Sequence, residues 1–221
     1  MINNNRMATK EKIQNAYIDY ILTEGKQPIS VFSFAKKNKM AEEEFYKYYG
    51  SFDAIEADVW TEFFVKTIAE VKEQEVWQQY SAREKALSFY YSFFELLKSR
   101  RSFVSHSVSQ FKKGMRTPVQ LKEGKLAFEE FGIAIIQEGL ETGELADRKF
   151  ISDRYKDALW AQVAFLLNFW IKDYSAGFEK TDEAIEKGVN VTFDLFQRTP
   201  IDNLFDYGKF LAQNSGFKMP F

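Results

Sequence analysis

The chain has no cysteine and a single histidine, His106, among 221 residues. The first absence excludes a disulfide framework, a thiolate metal site and a thiol nucleophile. The second leaves no means of building a histidine metal cluster. Four prolines and 11 glycines are scattered through the sequence, and nowhere do they form a linker or low-complexity tract. No stretch approaches the ~18 consecutive apolar residues of a membrane-spanning helix, and the opening MINNNRMATK lacks the apolar run of a secretory signal. A dominant charge is missing as well: the formal net charge of −2 gives no global pull toward nucleic acid or membrane. The expectation is a soluble cytoplasmic protein with no membrane partner. Nucleotide-binding glycine motifs, metal-ligand spacings and nucleophile elbows are also lacking, so neither catalysis nor a cofactor is expected.

What the chain does have is aromatic bulk, 17% of its residues with 23 Phe, enough for large apolar interiors or interfaces. Apolar residues recur with helical spacing and never alternate as in strands. Ile13, Ala16, Tyr17, Tyr20 and Ile21 form one stripe, which Gly25 stops. A long helix follows Ser51, with Ile55, Val59, Trp60, Phe63, Phe64, Ile68 and Val71 on a broad face. Ser81 and Glu84 read as a capping box. The run behind them, Leu87 to Leu97, is apolar nearly all round, as in a central helix or one lining a cavity. Further helices are expected at 103–111, 121–140, 153–172, 181–197 and 201–212. The 121–140 helix turns Leu121, Phe128, Phe131, Ile135 and Ile136 inward; loops at Lys112–Gly114 and Thr199–Pro200 separate neighbours, and residues 1–8 are polar and frayed. The fold class is all-α, with nine or ten helices.

Ser30 to Ile55 organises the rest. Ser30 can cap a short helix that buries Val31, Phe34 and Ala35, and the turn Lys37-Asn38-Lys39 leads to a second helix over 41–49. Gly50 stops that helix, and Ser51 starts the next with Asp53 near its positive end. Helix, tight turn, helix is the arrangement that places one helix in a DNA major groove. Gly25, Ser30, Ala35, Met40, Phe45-Tyr46-Lys47-Tyr48-Tyr49 and Ser51 resemble the N-terminal signature of the tetracycline-repressor (TetR) family. Several expectations follow from that resemblance. An N-terminal three-helix helix-turn-helix domain, residues 1–55, would precede a larger helical ligand-binding and dimerisation domain, 56–221. Ser30, Ala41, Glu42, Glu44, Tyr46, Lys47 and Tyr48 would meet double-stranded operator DNA, with Tyr46 on a phosphate, while Phe45 and Tyr49 hold the unit's core. The helices at 153–173 and 181–197 would form a four-helix homodimer interface, for which Trp160, Phe165, Phe169 and Phe193 supply apolar surface. A small apolar effector would alter the spacing of the two recognition helices and release the operator.

Glu42-Glu43-Glu44 departs from the family where Lys, Gly or small polar residues are usual, and Lys39 replaces its turn glycine, where Asn38 can tolerate a left-handed backbone. Residues 1–56 carry eight Lys/Arg and eight Asp/Glu, whereas a DNA-binding domain is normally basic. Carboxylates can accept from a cytosine amino group, but they also suit a helix N-terminus and repel phosphates. A second reading is therefore open: a small-molecule or lipid-binding protein of the same fold that has lost DNA, like relatives of this fold in ubiquinone biosynthesis. Tyr90, Phe94, His106, Gln110, Phe111, Phe128 and Trp160 are the candidates for an apolar effector pocket, with Tyr90, His106 and Gln110 as polar anchors; an ordinary packed core accounts for the same pattern.

Overall fold

The structure is a computed structural model that describes residues 9–111, 116–148 and 152–197. Within them are nine α-helices and no strand: α1 (Lys10–Glu24), α2 (Val31–Lys37), α3 (Glu42–Tyr46), α4 (Phe52–Lys72), α5 (Ala82–Lys98), α6 (Arg101–Gln110), α7 (Lys122–Glu141), α8 (Tyr155–Trp170) and α9 (Glu179–Phe196). The helix expected at 201–212, the loop at 112–114 and the polar residues 1–8 lie outside the described residues. Two compact units gather these helices. One comprises Met1–Glu73 with Ser92–Phe128, the other Gln74–Tyr91 with Glu129–Phe221. Both α5 and α7 contribute to each.

The starts and stops follow from local chemistry. The Thr9, Ser30 and Ser51 side chains accept from the backbone N–H three residues on, at 3.3, 3.1 and 3.2 Å, and so satisfy donors that a helix N-terminus leaves open. Gly25 ends α1 in the left-handed region at φ 70°, its N–H returning to the Ile21 carbonyl. The capping box at α5 is reciprocal: Ser81 N–H donates to the Glu84 carboxylate at 2.8 Å, and Glu84 N–H to Ser81 Oγ at 3.3 Å. In the turn before α3, Lys39 rather than Asn38 takes the left-handed backbone, φ 54° against −93°. Asn38 is held by its own side chain, whose Nδ2 donates to the Phe34 carbonyl at 2.8 Å, and the next residue has to make the turn.

In the first unit, α1 to α4 close on rings. Phe34, Phe45 and Phe52 pack edge-on at centroid distances of 5.4–6.0 Å, and Tyr17 stacks on Phe52 at 5.5 Å. Farther along α4, Phe64 meets Phe93 at 4.6 Å and Phe128 at 6.2 Å, and the buried Trp60 indole donates to Ser107 Oγ of α6 at 3.0 Å. In the second unit Phe131 lies between Phe89 (5.2 Å) and Trp77 (5.8 Å). There the helix starts are tied down by residues distant in sequence. The Glu144 carboxylate accepts from Ala82 and Arg83 N–H at 2.7 and 3.0 Å. Asp173 accepts from Ser175 and Thr181, backbone and hydroxyl, at 2.6–2.9 Å. Burial alone would raise the Asp173 pKa, but these four bonds outweigh it and hold the carboxyl at about 2. The inward residues expected for α7 are buried, and so are Tyr155, Leu159, Val163, Leu166 and Trp170 of α8 and Ile185, Val189 and Phe196 of α9. Phe193, counted among the apolar residues available for a dimer face, is fully buried in the chain's own core: it stands in line with Ile185 and Val189 on the inner stripe of α9.

Gly139 sits inside α7, where alanine is ordinarily the better residue. A Cβ there would stand 2.7 Å from Leu145 Cγ and 3.0 Å from the Ala82 Cβ. Gly139→Ala is therefore expected to destabilise by about 1–3 kcal/mol through overpacking, read as a lower midpoint in thermal or urea unfolding. A rise in stability would mean that Leu145 swings aside.

Candidate nucleic-acid interface

α3 is the centre of the candidate interface. At five residues it is shorter than the 41–49 expected, because its end tightens into i→i+3 bonds, with Tyr48 N–H donating to the Phe45 carbonyl at 3.0 Å. Its N-cap, Ala41, offers no side-chain acceptor, and the three glutamates of the first turn sit at the positive helix end instead. The residues predicted to meet DNA are brought to one short stretch of surface. Ala41, Glu42, Glu43 and Lys47 are exposed, Glu44 is half-buried, and Tyr46 and Tyr48 remain 54% and 46% exposed. Ser30 is exposed, and its hydroxyl oxygen is engaged in capping α2. Phe45 and Tyr49 are buried, so within FYKYY the rings divide into holders and presenters.

α4 fastens this surface from behind. Tyr49 donates its hydroxyl proton to Asp58 Oδ2 at 2.6 Å, and Gln14 Nε2 donates to the same oxygen at 2.8 Å. Lys10 Nζ bonds Asp58 Oδ1 at 2.7 Å. One turn on, Glu62 accepts from Gln14 at 2.9 Å and Lys66 at 3.0 Å. Burial pushes the Tyr49 hydroxyl well above its usual range, and the Asp58 carboxylate pushes it further, so it stays protonated and keeps donating. The buried Tyr17 hydroxyl donates likewise to Glu56 Oε1 at 2.9 Å. Asp53 accepts from Gln27 at 2.8 Å, and Glu24 pairs with Lys37 at 2.8 Å. Lys36, Lys39 and Lys47, by contrast, are exposed and form no ion pair among the described residues. Of the eight carboxylates counted over residues 1–56, Glu24, Asp53 and Glu56 thus face protein donors, and Asp58 and Glu62, just beyond that span, do the same.

The residues expected around an effector pocket fall into both units. Phe94, His106, Gln110, Phe111 and Phe128 belong to the first, Tyr90 and Trp160 to the second. Phe94 and Phe128 are buried. His106 is half-buried on α6, its imidazole near the Glu56 carboxylate. Phe111 lies 5.9 Å from the Trp60 ring, and Gln110 is exposed, its Nε2 donating to Ser109 Oγ at 3.2 Å. Tyr90 is buried with its hydroxyl donating to the Leu159 carbonyl at 2.8 Å, and Trp160 is half-buried on α8. A cavity of about 70 Å³ in the first unit is lined by other residues, among them Gln14, Glu62, Lys66 and Arg100. Among the described residues no group of three His, Cys, Asp or Glu side chains could hold a metal ion, and no helix is long and apolar enough to cross a membrane.

An all-α chain that opens on a capped helix-turn-helix and continues into a larger helical array defines a class of fold. Residues 85–211, more than half of the chain, match the family described as "Tetracyclin repressor-like, C-terminal domain". The chain belongs to the tetracycline-repressor family. Among solved structures it is similar to a protein of unknown function from Rhodococcus sp. RHA1, at 11% identity and a TM-score of 0.61 over 90% of this chain and 100% of that one. It is also similar to a candidate TetR family transcription regulator from Shewanella sp. PV-4, at 10% identity and a TM-score of 0.56 over 87% of this chain and 100% of that one. No curated protein matches the sequence.

Glu56 supplies a test of the unit's electrostatics. Burial raises its pKa above the ordinary 4.5, while the Tyr17 hydrogen bond opposes the rise. A folded-state pKa above the unfolded one gives stability that is complete below about 4.5 and is lost as pH rises through the folded value. Glu56→Gln, which keeps an oxygen for Tyr17, should therefore raise the melting temperature at pH 8 and leave it unchanged at pH 4, in parallel thermal scans.

Proposed function

We propose that this chain is a transcriptional regulator that binds operator DNA as a homodimer and responds to a small apolar effector. The observation that carries the proposal is the division of labour in α3 and its flank. Phe45 and Tyr49 are anchored inward, while Tyr46, Lys47 and Tyr48 face solvent, and Lys36 and Lys39, on α2 and in the turn after it, are exposed too. Tyrosine hydroxyls and lysines on such a surface hold phosphates and fix register, while small or hydrogen-bonding residues at the front of the helix, here Ala41, Glu42 and Glu44, meet base edges. On this reading the helix-turn-helix, to about residue 55, reads DNA and the rest of the chain regulates.

Dimerisation draws support from the second unit. A groove of about 540 Å³ on α8 and α9 is floored by Ala158, Ala161, Ala184 and Gly188. Phe165, Val191 and Leu195 stand 60%, 61% and 65% exposed on the same two helices, large apolar side chains that a second copy would cover. The aromatic interior of the first unit, Phe64, Phe93, Phe94 and Phe128, suits an effector that is itself largely apolar.

A second reading, a lipid or small-molecule binder without DNA, rests on the exposed Glu42 and Glu43, which repel phosphates at the front of α3. Salt separates the two. Fragments enriched from a genomic pool by the purified protein should bind more weakly as salt rises. Tyr46→Ala should weaken that binding about tenfold, and Lys47→Ala should weaken it and lower the salt slope by about one. A folded dimer that enriches no fragment sinks the regulator reading, and organic extraction for a bound lipid then tests the second. Phe165→Glu should weaken self-association about a hundredfold in sedimentation runs; an unchanged dimer would place the interface elsewhere.

A further inference from the structure

A five-residue helix is too short to define its own direction. Isolated helices need about 12–15 residues to be even marginally stable, and α3 also lacks a side-chain N-cap and follows a left-handed lysine. What aims it has to come from outside. Among the described residues, ring packing and one side-chain hydrogen bond reach it from the rest of the unit. The Phe45 ring lies edge-on among Phe34 and Phe52, a contact that supplies cohesion and only a modest geometric preference. The other is directional: Tyr49, at the end of the FYKYY segment, donates to Asp58 at 2.6 Å in a part-buried setting, and a hydrogen bond to a carboxylate is short, strong and angle-dependent. Asp58 cannot follow α3 if α3 moves, because Lys10 and Gln14 of α1 hold it at 2.7 and 2.8 Å.

We infer that Asp58 is the positioning residue of the reading surface, setting the angle at which α3 presents its side chains by gripping the Tyr49 hydroxyl while Lys10 and Gln14 fix the carboxylate. Asp58 touches no ligand in this scheme. It acts through Tyr49, and one carboxylate thereby refers both α1 and α3 to α4. The inference rests on the regulator reading for what α3 presents, but not for how α3 is held.

The test uses the full-length protein and two readouts, with Tyr49→Phe as the main variant because it removes one oxygen and keeps the buried ring. Hydrogen exchange of the amides over 42–49 should accelerate about tenfold, the size expected when one such bond is lost, with α1 and α4 unchanged. Affinity for the DNA fragment enriched by the wild type should fall by a similar factor while the salt slope is retained, since no phosphate contact is removed. Asp58→Asn leaves an amide oxygen for Tyr49 and should lie between wild type and Tyr49→Phe; Asp58→Ala should not. Wild-type exchange over 42–49 in Tyr49→Phe overturns the inference, and so does equal acceleration throughout α1 and α4, which would make the hydroxyl a general support of the unit. If 42–49 loosens selectively but the wild type enriches no DNA, Asp58 keeps its role and the DNA reading fails.

Discussion

A helix of five residues cannot hold itself in place, and the first unit is arranged around that constraint. Three phenylalanines from three helices meet edge-on beneath α3 and supply cohesion; one tyrosine hydroxyl supplies direction. α4 is the long member to which everything else is referred. Its length comes from a plain sequence cause, a capped start at Ser51 and an apolar face kept for 21 residues. That length lets it carry Phe52 into the ring cluster, Asp58 and Glu62 toward α1, and Trp60 and Phe64 toward α6 and the rest of the unit.

Charge in this unit is deployed by geometry more than by number. Counted along the sequence, acids and bases cancel. In the fold, Asp53, Glu56, Asp58 and Glu62 of α4 each accept from a neighbour in the protein, and Glu24 is paired with Lys37. Glu42 and Glu43 of α3 stay exposed, as do Lys36, Lys39 and Lys47, which form no ion pair among the described residues. Composition could not reveal which carboxylates are already satisfied, because that depends on contacts spanning 9 to 48 positions.

Much of the fold was legible in advance for a physical reason: helical periodicity and caps are local. The stripes on α1, α4, α7, α8 and α9, the serine caps and the capping box at Ser81 all depend on residues within a turn or two of one another. The family itself was legible from Ser30 to Ser51. Long-range relations were not. Glu144 and Asp173 cap helices from outside any local motif. Asn38 was the natural candidate for a left-handed turn until its amide found the Phe34 carbonyl. An aromatic-rich stretch reads the same whether it walls a pocket or fills a core, so Tyr90 and Trp160 could not be told apart from Phe94 and Phe128 by pattern alone. The split of FYKYY into inward and outward rings was legible, since positions four apart share a helix face, whereas Asp58 as the partner of Tyr49 was not.

The side chains that hold α3 and those it displays are different residues. Phe45 and Tyr49 bear the packing and the directional bond; the side chains of Ala41, Glu42 and Glu43 are exposed and take no part in the hydrogen bonds that tie the unit together. Surface positions free of structural duties tolerate replacement at little cost in stability. The residues at 41–43 can therefore be exchanged for other polar ones without rebuilding the module that carries them, the cost being the favourable negative charge at the α3 N-terminus. On that view an acidic front on α3 is a difference the module carries at little cost, whereas Asp58 with its tyrosine is built into how the module is held.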